Sequence, residues 1–152
     1  MSDQLVRERP VVAAKPLVGT PLERVARLRG VILDGGDQAQ VLRRLPSDTV
    51  ETLIDEGMFR FAMPTELGGE NASAVETVVI LEAMAAIDAS VAWNVMLGSE
   101  INAMAAGGMP KAVAKEIFID NPRVVMCGVG AEEKQVMRKP VRNGSVTFRD
   151  PR

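Results

Sequence analysis

Apolar residues near the start of the chain recur with the period of a helix. They lie three or four residues apart, at Leu22, Val25, Leu28 and Ile32. The segment opens with the capping-box pattern from Thr20 to Glu23, in which the Thr hydroxyl and the Glu carboxylate each satisfy a free backbone amide. Pro21 occupies the first helical position, where its fixed φ is favourable. The pattern predicts a helix that begins here.

Two adjacent glycines, Gly35 and Gly36, leave the length of this helix open. Each glycine in a helix interior is about 1 kcal/mol less favourable than alanine, so the pair favours a break. A helical composition nevertheless resumes at once, from Gln38 to Leu45. The pattern allows either two helices or one long helix with a weak middle.

A further helix is predicted after Pro46, with Ser47 or Asp48 as its cap and Gly57 at its C-terminal end. The core face of this helix is expected to hold Val50, Leu53 and Ile54. The next residues, 58–73, are apolar at their start and turn-like at their end, so we predict an ordered loop.

The middle of the chain, Ala74–Ala106, is apolar nearly throughout and follows a second capping box, Ser73 to Glu76. An all-round apolar helix is usually buried. We predict two helices separated near Asp88 and ended at Gly107-Gly108, which should be the most buried elements of the chain.

A last helix is predicted from Pro110 to about Asp120. Its expected core face is Val113, Ile117 and Phe118. Beyond it, β-branched residues at 123–129 and the Asn143-Gly144 turn predict strands and a hairpin. The pattern therefore predicts a mainly α chain: a flexible arm (1–19), a helical domain (20–122) and a β segment (123–152).

Composition removes several classes of function. The chain has no His, which excludes Ser–His and Cys–His nucleophiles and imidazole metal sites, and its single Cys cannot form an internal disulfide. An aromatic content of 3% and a net charge of −2 argue against nucleic-acid binding by base stacking. The longest uncharged run in the apolar middle, residues 89–99, is too short to span a bilayer. No signal-peptide pattern opens the chain, so a cytoplasmic location is expected.

Few residues are candidates for chemistry. Gly128-Val129-Gly130 resembles the opening of a dinucleotide loop, but Glu133 stands where the third glycine belongs, so a flexible turn after a strand is preferred. Cys127 is interpreted as a core residue, because no base for a nucleophilic thiol is identifiable. Four methionines could line an apolar channel or fill gaps in a helical core. They are Met84, Met96, Met104 and Met109.

Trp93 is the most informative single residue. It is the only Trp, and it lies on an otherwise apolar helix among polar residues. These are Ser90, Asn94, Ser99 and Asn102. Such a residue is either a core Trp with satisfied polar neighbours or the wall of a pocket for a flat organic molecule.

Four segments, 44–46, 50–60, 63–69 and 82–94, together resemble a known family. In sequence they read RLP, VETLIDEGMFR, MPTELGG and EAMAAIDASVAWN. Their order and spacing are similar to those of the N-terminal helical domain of the acyl-CoA dehydrogenase family of flavoenzymes. The Ser-Val-Ala-Trp-Asn form from Ser90 is most similar to the branch of flavin-dependent monooxygenases. The resemblance covers about residues 21–131.

The resemblance implies that the two apolar helices help to wall the substrate cavity against the flavin. The implied substrate-pocket candidates are Ser90, Trp93, Asn94 and Leu97. No catalytic residue is implied within the chain. Residues 124–129 would open the β domain whose loops meet the flavin. Relatives usually have one long first helix, which favours a continuous helix through Gly35-Gly36.

Complete members of the family have a helical domain, a β domain and a C-terminal helical bundle, and they hold FAD or FMN and form homo-oligomers. This chain matches the first part and only the start of the second, an incomplete β domain. It is expected to be the N-terminal portion of a dehydrogenase or monooxygenase that acts on an acyl thioester or an apolar organic substrate. Alone, it is expected to be inactive and not to hold flavin. The alternative is a cofactor-free helical module that binds a partner chain.

Overall fold

A computed structural model describes residues 16–126. These residues form six α-helices and one short 3-10 helix, and no strand is present among them. The elements are α1 (Pro21–Arg27), α2 (Arg29–Leu42), α3 (Ser47–Asp55), the 3-10 helix (Thr65–Leu67), α4 (Ala74–Ala85), α5 (Ala89–Gly108) and α6 (Lys111–Phe118). Helix α5 is central, since α2, α4 and α6 all pack against it. No helix in this part of the chain combines the length and apolarity needed to cross a membrane.

Both predicted capping boxes are confirmed. The Thr20 amide donates to the Glu23 carboxylate at 2.7 Å, and the Glu23 amide donates back to the Thr20 hydroxyl at 3.3 Å. Ser73 and Glu76 make the same reciprocal pair at the start of α4. These two helices therefore begin where the local sequence places them.

Gly35 and Gly36 lie inside α2, which confirms the continuous alternative at that point. A Cβ on Gly35 would lie 2.6 Å from Thr49 Cγ2, and a Cβ on Gly36 would lie 2.2 Å from Asp88 Oδ2. The glycines thus let α3 and the α4–α5 turn approach α2 closely. The helical distortion instead falls at Leu28, although hydrogen bonds of the helical i to i−4 type continue across it.

The predicted cap of α3 is wrong, because Pro46 is the N-cap residue and neither Ser47 nor Asp48 caps the helix through its side chain. Asp48 Oδ1 accepts only from the adjacent Thr49 amide, at 2.9 Å. Gly57 follows the helix with φ +68°, as predicted for its end. In the predicted core face Leu53 is fully buried, whereas Val50 and Ile54 are partly buried.

The loop at 58–73 is ordered and contributes directly to the core, as predicted. Its apolar start is buried at Met58, Phe59, Phe61 and Met63. Most of these side chains join those of α1, α3, α4 and α5 in the main apolar cluster, while Met63 packs with Ala114 and Phe118 of α6 in a second one.

The bounds of α4 and α5 match the prediction, and Asp88 caps α5 through the Val91 amide. The predicted burial of the pair is wrong for α4. Its Ile80 and Met84 are buried, but an outer row is exposed at Val75, Val78 and Val79. The reason is that α4 packs against α1 and α5 on one side only, and none of the described elements covers the other side.

The core face of α6 is Ala114, Ile117 and Phe118, because Val113 is exposed. Residues 123–126 of the predicted strand are described and form no strand. Residues 1–15 of the predicted arm, Cys127, the glycines at 128 and 130, and the hairpin at 141–146 lie outside the described residues.

Candidate functional site

An open apolar groove runs between α4 and α5. Its volume is about 390 Å³, within the range of small-ligand sites. It is lined by Val78, Leu81, Glu82, Ala85, Ala89, Ala92, Trp93 and Met96, and we refer to it as the Trp93 groove. Glu82 is the only charged residue of the lining, so the groove suits an apolar molecule.

The indole of Trp93 is 58% exposed, so neighbouring helices of the described chain do not enclose it, and the alternative of a core Trp is wrong. Its position follows from the helix phase. Val91 and Val95 of α5 turn inward and are fully buried, which places Trp93 outward. A large apolar side chain left in solvent is informative when it borders a groove of this kind.

The other three predicted pocket residues lie on the same exposed face of α5. Ser90 donates its hydroxyl hydrogen to Asp88 Oδ1 at 2.5 Å, and Asn94 donates from Nδ2 to the Ser90 carbonyl at 2.8 Å. Leu97 is exposed and does not line the Trp93 groove. The structure thus brings the four candidates onto one surface, while their role in binding stays a prediction.

Ser90 and Asn94 line a second, more polar cleft where α5 meets the end of α2. Its volume is about 520 Å³. The other lining residues are Ala39, Gln40, Arg43, Arg44 and Leu45, and we refer to it as the arginine cleft. Sequence reasoning missed this cleft, because its two sides come from segments about fifty residues apart.

The polar residues Ser99 and Asn102 do not belong to the Trp93 surface, since both are fully buried. Asn102 Nδ2 donates to the carbonyl oxygens of Phe59, at 3.1 Å, and Val124, at 3.4 Å. Its Oδ1 accepts from the Met126 amide at 2.9 Å. Asn102 therefore holds residues 124–126 on the helical domain and lines neither the groove nor the cleft.

A buried arginine, Arg60, fixes the same part of the chain. Its guanidinium donates to the carbonyl oxygens of Leu67 (2.5 Å), Phe118 (2.8 Å) and Pro122. Burial lowers the pKa of Arg60, yet arginine stays charged at any physiological pH. The position of Arg60 between Phe59 and Phe61 is a signal that could have revealed it, because a charge inside an apolar run needs partners.

Arg123 adds a surface anchor beside this buried one. It pairs with Asp55 and Glu51 of α3. The hydrogen bond to Asp55 is the main cause that raises the pKa of Arg123, against a smaller effect of burial. Together with Asn102 and Arg60, the ion pairs of Arg123 hold residues 122–126 on the helical bundle.

The four methionines do not form a channel. Met84 is fully buried, Met96 lines the Trp93 groove, Met104 is 74% exposed and Met109 packs beside α6. The described residues also contain no group of three side chains suited to hold a metal ion. What the site offers is an apolar surface with a polar, positively charged margin.

Comparison with known proteins agrees with this helical architecture. Residues 32–114 match the family model described as acyl-CoA dehydrogenase, N-terminal domain. A curated relative, indole-3-acetate monooxygenase of Acinetobacter baumannii, is 30% identical over 81 residues. That match covers 53% of this chain and 20% of the relative, so the chain spans about a fifth of the relative's length. No solved structure matches the chain.

Proposed function

Since the chain belongs to the acyl-CoA dehydrogenase family through its N-terminal helical domain, we propose that it supplies one wall of the substrate cavity of a flavin-dependent oxidoreductase. The observation that carries this proposal is Trp93, which α5 presents outward beside an apolar groove. An exposed indole next to an apolar groove is costly in water unless something covers it. A flat substrate or cofactor ring is well suited to do so.

The reaction type proposed is monooxygenation of an apolar organic substrate, in preference to dehydrogenation of an acyl thioester. The support is the name of the curated relative and the apolar lining of the Trp93 groove. A flavin, FAD or FMN, would supply the oxidation chemistry when bound. The residues of this chain would orient the substrate and exclude water from it.

The described residues fit a wall better than a flavin holder. The groove lining contains a single charged residue, Glu82, and no side-chain donor other than the Trp93 indole, whereas a flavin ring has several hydrogen-bonding atoms. We therefore propose that most contacts to the flavin come from outside residues 16–126. We further propose that the 152-residue chain alone holds no flavin and shows no turnover, because it spans only about a fifth of the length of the relative.

A segment exchange tests the proposed wall. Residues 32–114 would replace the aligned segment of the Acinetobacter baumannii enzyme, and bound flavin and indole-3-acetate-dependent oxygen consumption would be measured. We expect the folded chimera to keep both. We also expect Trp93→Ala to lower the substrate-dependent rate at least about tenfold, the effect of roughly 1.4 kcal/mol.

Met104→Ala is the matched control, because Met104 is an exposed apolar residue of the same helix that lies outside the groove. Its rate should stay within about twofold of the parent, a difference of well under 1 kcal/mol. Equal effects of the two substitutions on a folded chimera would contradict a wall at Trp93.

The exposed valines of α4 favour one alternative, a cofactor-free module that binds a partner chain. Val75, Val78 and Val79 form an apolar row that a partner helix would cover. The same chimera separates the two functions. A folded chimera that binds no flavin and consumes no oxygen would support the module and remove the enzymatic proposal.

A further inference from the structure

The arginine cleft carries two positive charges that no described acidic residue neutralises. Arg43 and Arg44 are both exposed, and neither forms an ion pair with a described carboxylate. Arg24, Arg27 and Arg123, by contrast, are each paired. The lining of the cleft therefore carries two positive charges and no negative one, and the nearby Asp88 carboxylate is held by the Ser90 hydroxyl.

Arg43 occupies a backbone position that does not favour its residue type. It ends α2 in the left-handed region at φ +57°, and its amide donates to the Ala39 carbonyl at 2.8 Å. Glycine is the usual residue there, and a side chain costs about 1 kcal/mol or more in this conformation. Helix termination thus gives no reason for an arginine, whereas its side chain contributes charge to the cleft.

The arginine cleft and the Trp93 groove share one stretch of α5. Ser90 and Asn94 line the cleft, and Trp93 lies between them in sequence and lines the groove. Ser90 and Trp93 are three residues apart, so their side chains are neighbours on the helix surface. The lining of the charged cleft and that of the apolar groove are therefore adjacent along this stretch of α5.

We infer that the two surfaces form one binding site for a small organic anion with an apolar, ring-containing body. The body would lie along Trp93 in the groove, and the anionic oxygens would accept hydrogen bonds from Arg43 and Arg44. Asn94 uses one amide hydrogen on the Ser90 carbonyl and has a second one to offer. The inference rests on the proposed function and names its substrate class: a carboxylate or a phosphate ester on a flat apolar frame.

The single Trp makes binding to the unmodified 152-residue chain directly measurable. Three ligands of similar frame would be titrated while Trp93 fluorescence is followed: phenylacetate, benzyl phosphate and the neutral phenylacetamide. We expect a saturable change with at least one of the anions and at least about tenfold weaker binding of the amide, because a charge-assisted hydrogen bond is worth about 1.5–3 kcal/mol. Preference between the two anions tells whether a carboxylate or a phosphate is the natural group.

Two variants locate the charge effect. Arg43→Gly should fold normally, because glycine suits the left-handed position, and Arg44→Gln keeps the size of the side chain. Both are expected to remove the preference for the anion. Arg29→Gln, an exposed arginine of the same helix outside the cleft, should keep it.

Equal affinity for phenylacetate, benzyl phosphate and phenylacetamide would overturn the inference. So would an anion preference that survives Arg43→Gly and Arg44→Gln, or no saturable change with any ligand. These outcomes leave the proposed wall function intact, since flavin binding and turnover of the chimera measure that separately. If the chimera loses turnover while the 152-residue chain still prefers the anions, the proposed wall function fails and the anion site stands.

Discussion

The buried guanidinium of Arg60 donates hydrogen bonds to three separate segments of the chain. It joins the 3-10 helix, the end of α6 and the segment that follows, through the carbonyl oxygens of Leu67, Phe118 and Pro122. Each of these carbonyls would otherwise be a poorly satisfied acceptor in or near the core. Arg60 therefore acts as the centre of a hydrogen-bonded loop cluster.

Arg60→Met tests this role. The substitution keeps an unbranched side chain but removes every donor, so we expect the free energy of unfolding to fall by about 3 kcal/mol or more. Urea unfolding followed by far-UV circular dichroism is the measurement, because Trp93 is already exposed in the folded state. Arg29→Met, in which an exposed arginine of α2 is lost, should change the stability by less than about 0.5 kcal/mol. A similar small change for Arg60→Met would show that the cluster is not needed.

Asp88 gives a prediction on pH. Burial raises its pKa, but hydrogen bonds from the Ser90 hydroxyl and from the Val91 and Ser90 amides outweigh burial, so the net pKa is lowered. A carboxyl whose pKa is lower in the folded state stabilises the fold above its unfolded value of about 3.9 and loses that effect as the pH falls through the folded value. Stability should therefore drop in acid.

Asp88→Asn isolates this contribution, because Asn is an equally good N-cap residue but does not titrate. Glu23 and Glu76 have pKa values lowered by Thr20 and Ser73 in both proteins, so their effects cancel in the comparison. We expect the stability of the variant to fall less than that of the parent below about pH 4. Parallel curves of unfolding free energy against pH would refute this role of Asp88.

At the scale of elements, α2 shows what close helix packing demands. Gly35 and Gly30 belong to the same helix, but a Cβ on Gly35 would strike Thr49, whereas a Cβ on Gly30 would meet nothing within 4 Å. Thr49 is buried and β-branched, so it has little freedom to move aside.

Alanine at these two positions should therefore have opposite effects. Gly30→Ala should raise the free energy of unfolding by up to about 1 kcal/mol through helix propensity alone. Gly35→Ala should lower it by about 1–3 kcal/mol, because overpacking outweighs the propensity gain. Chemical denaturation of both variants gives the answer. Stabilisation by Gly35→Ala would mean that α2 and α3 are not in contact as described.

Helix starts and ends were predictable where the signal is local. The capping boxes at Thr20 and Ser73 and the terminating Gly57 are set by residues within one turn, and all three are confirmed. The continuity of α2 through Gly35 and Gly36 was not predictable from local sequence, because it depends on close packing against distant neighbours. No local signal marks the distortion at Leu28 either. The low helix propensity of glycine favoured a break at Gly35-Gly36, where the helix is continuous.

Burial was harder to predict than helix bounds. The composition of α4 shows that it is apolar, but not which of its faces a neighbour covers, and Val78 turned out to be exposed. The arginine cleft depends on α2 and α5 meeting in space, which no local pattern encodes. Trp93 was identifiable as a candidate because a lone indole among polar residues stands out in an apolar helix.

At the scale of the whole molecule, the described chain has one part held by many polar contacts and one exposed apolar face. Asn102, Arg60 and Arg123 fix residues 122–126 to the bundle. The face of α4 and α5 that carries Val78 and Trp93 is open, and its apolar side chains are exposed to solvent.

The central claim is that this face, with Trp93 in it, is an open ligand-facing wall and not part of the core. Acrylamide quenching of the 152-residue chain tests it most directly, because the chain has one Trp and no Tyr to confuse the signal. We predict red-shifted emission and efficient quenching, as for an indole in contact with water. Blue-shifted emission with strong protection from acrylamide would show that Trp93 is enclosed and would contradict the account.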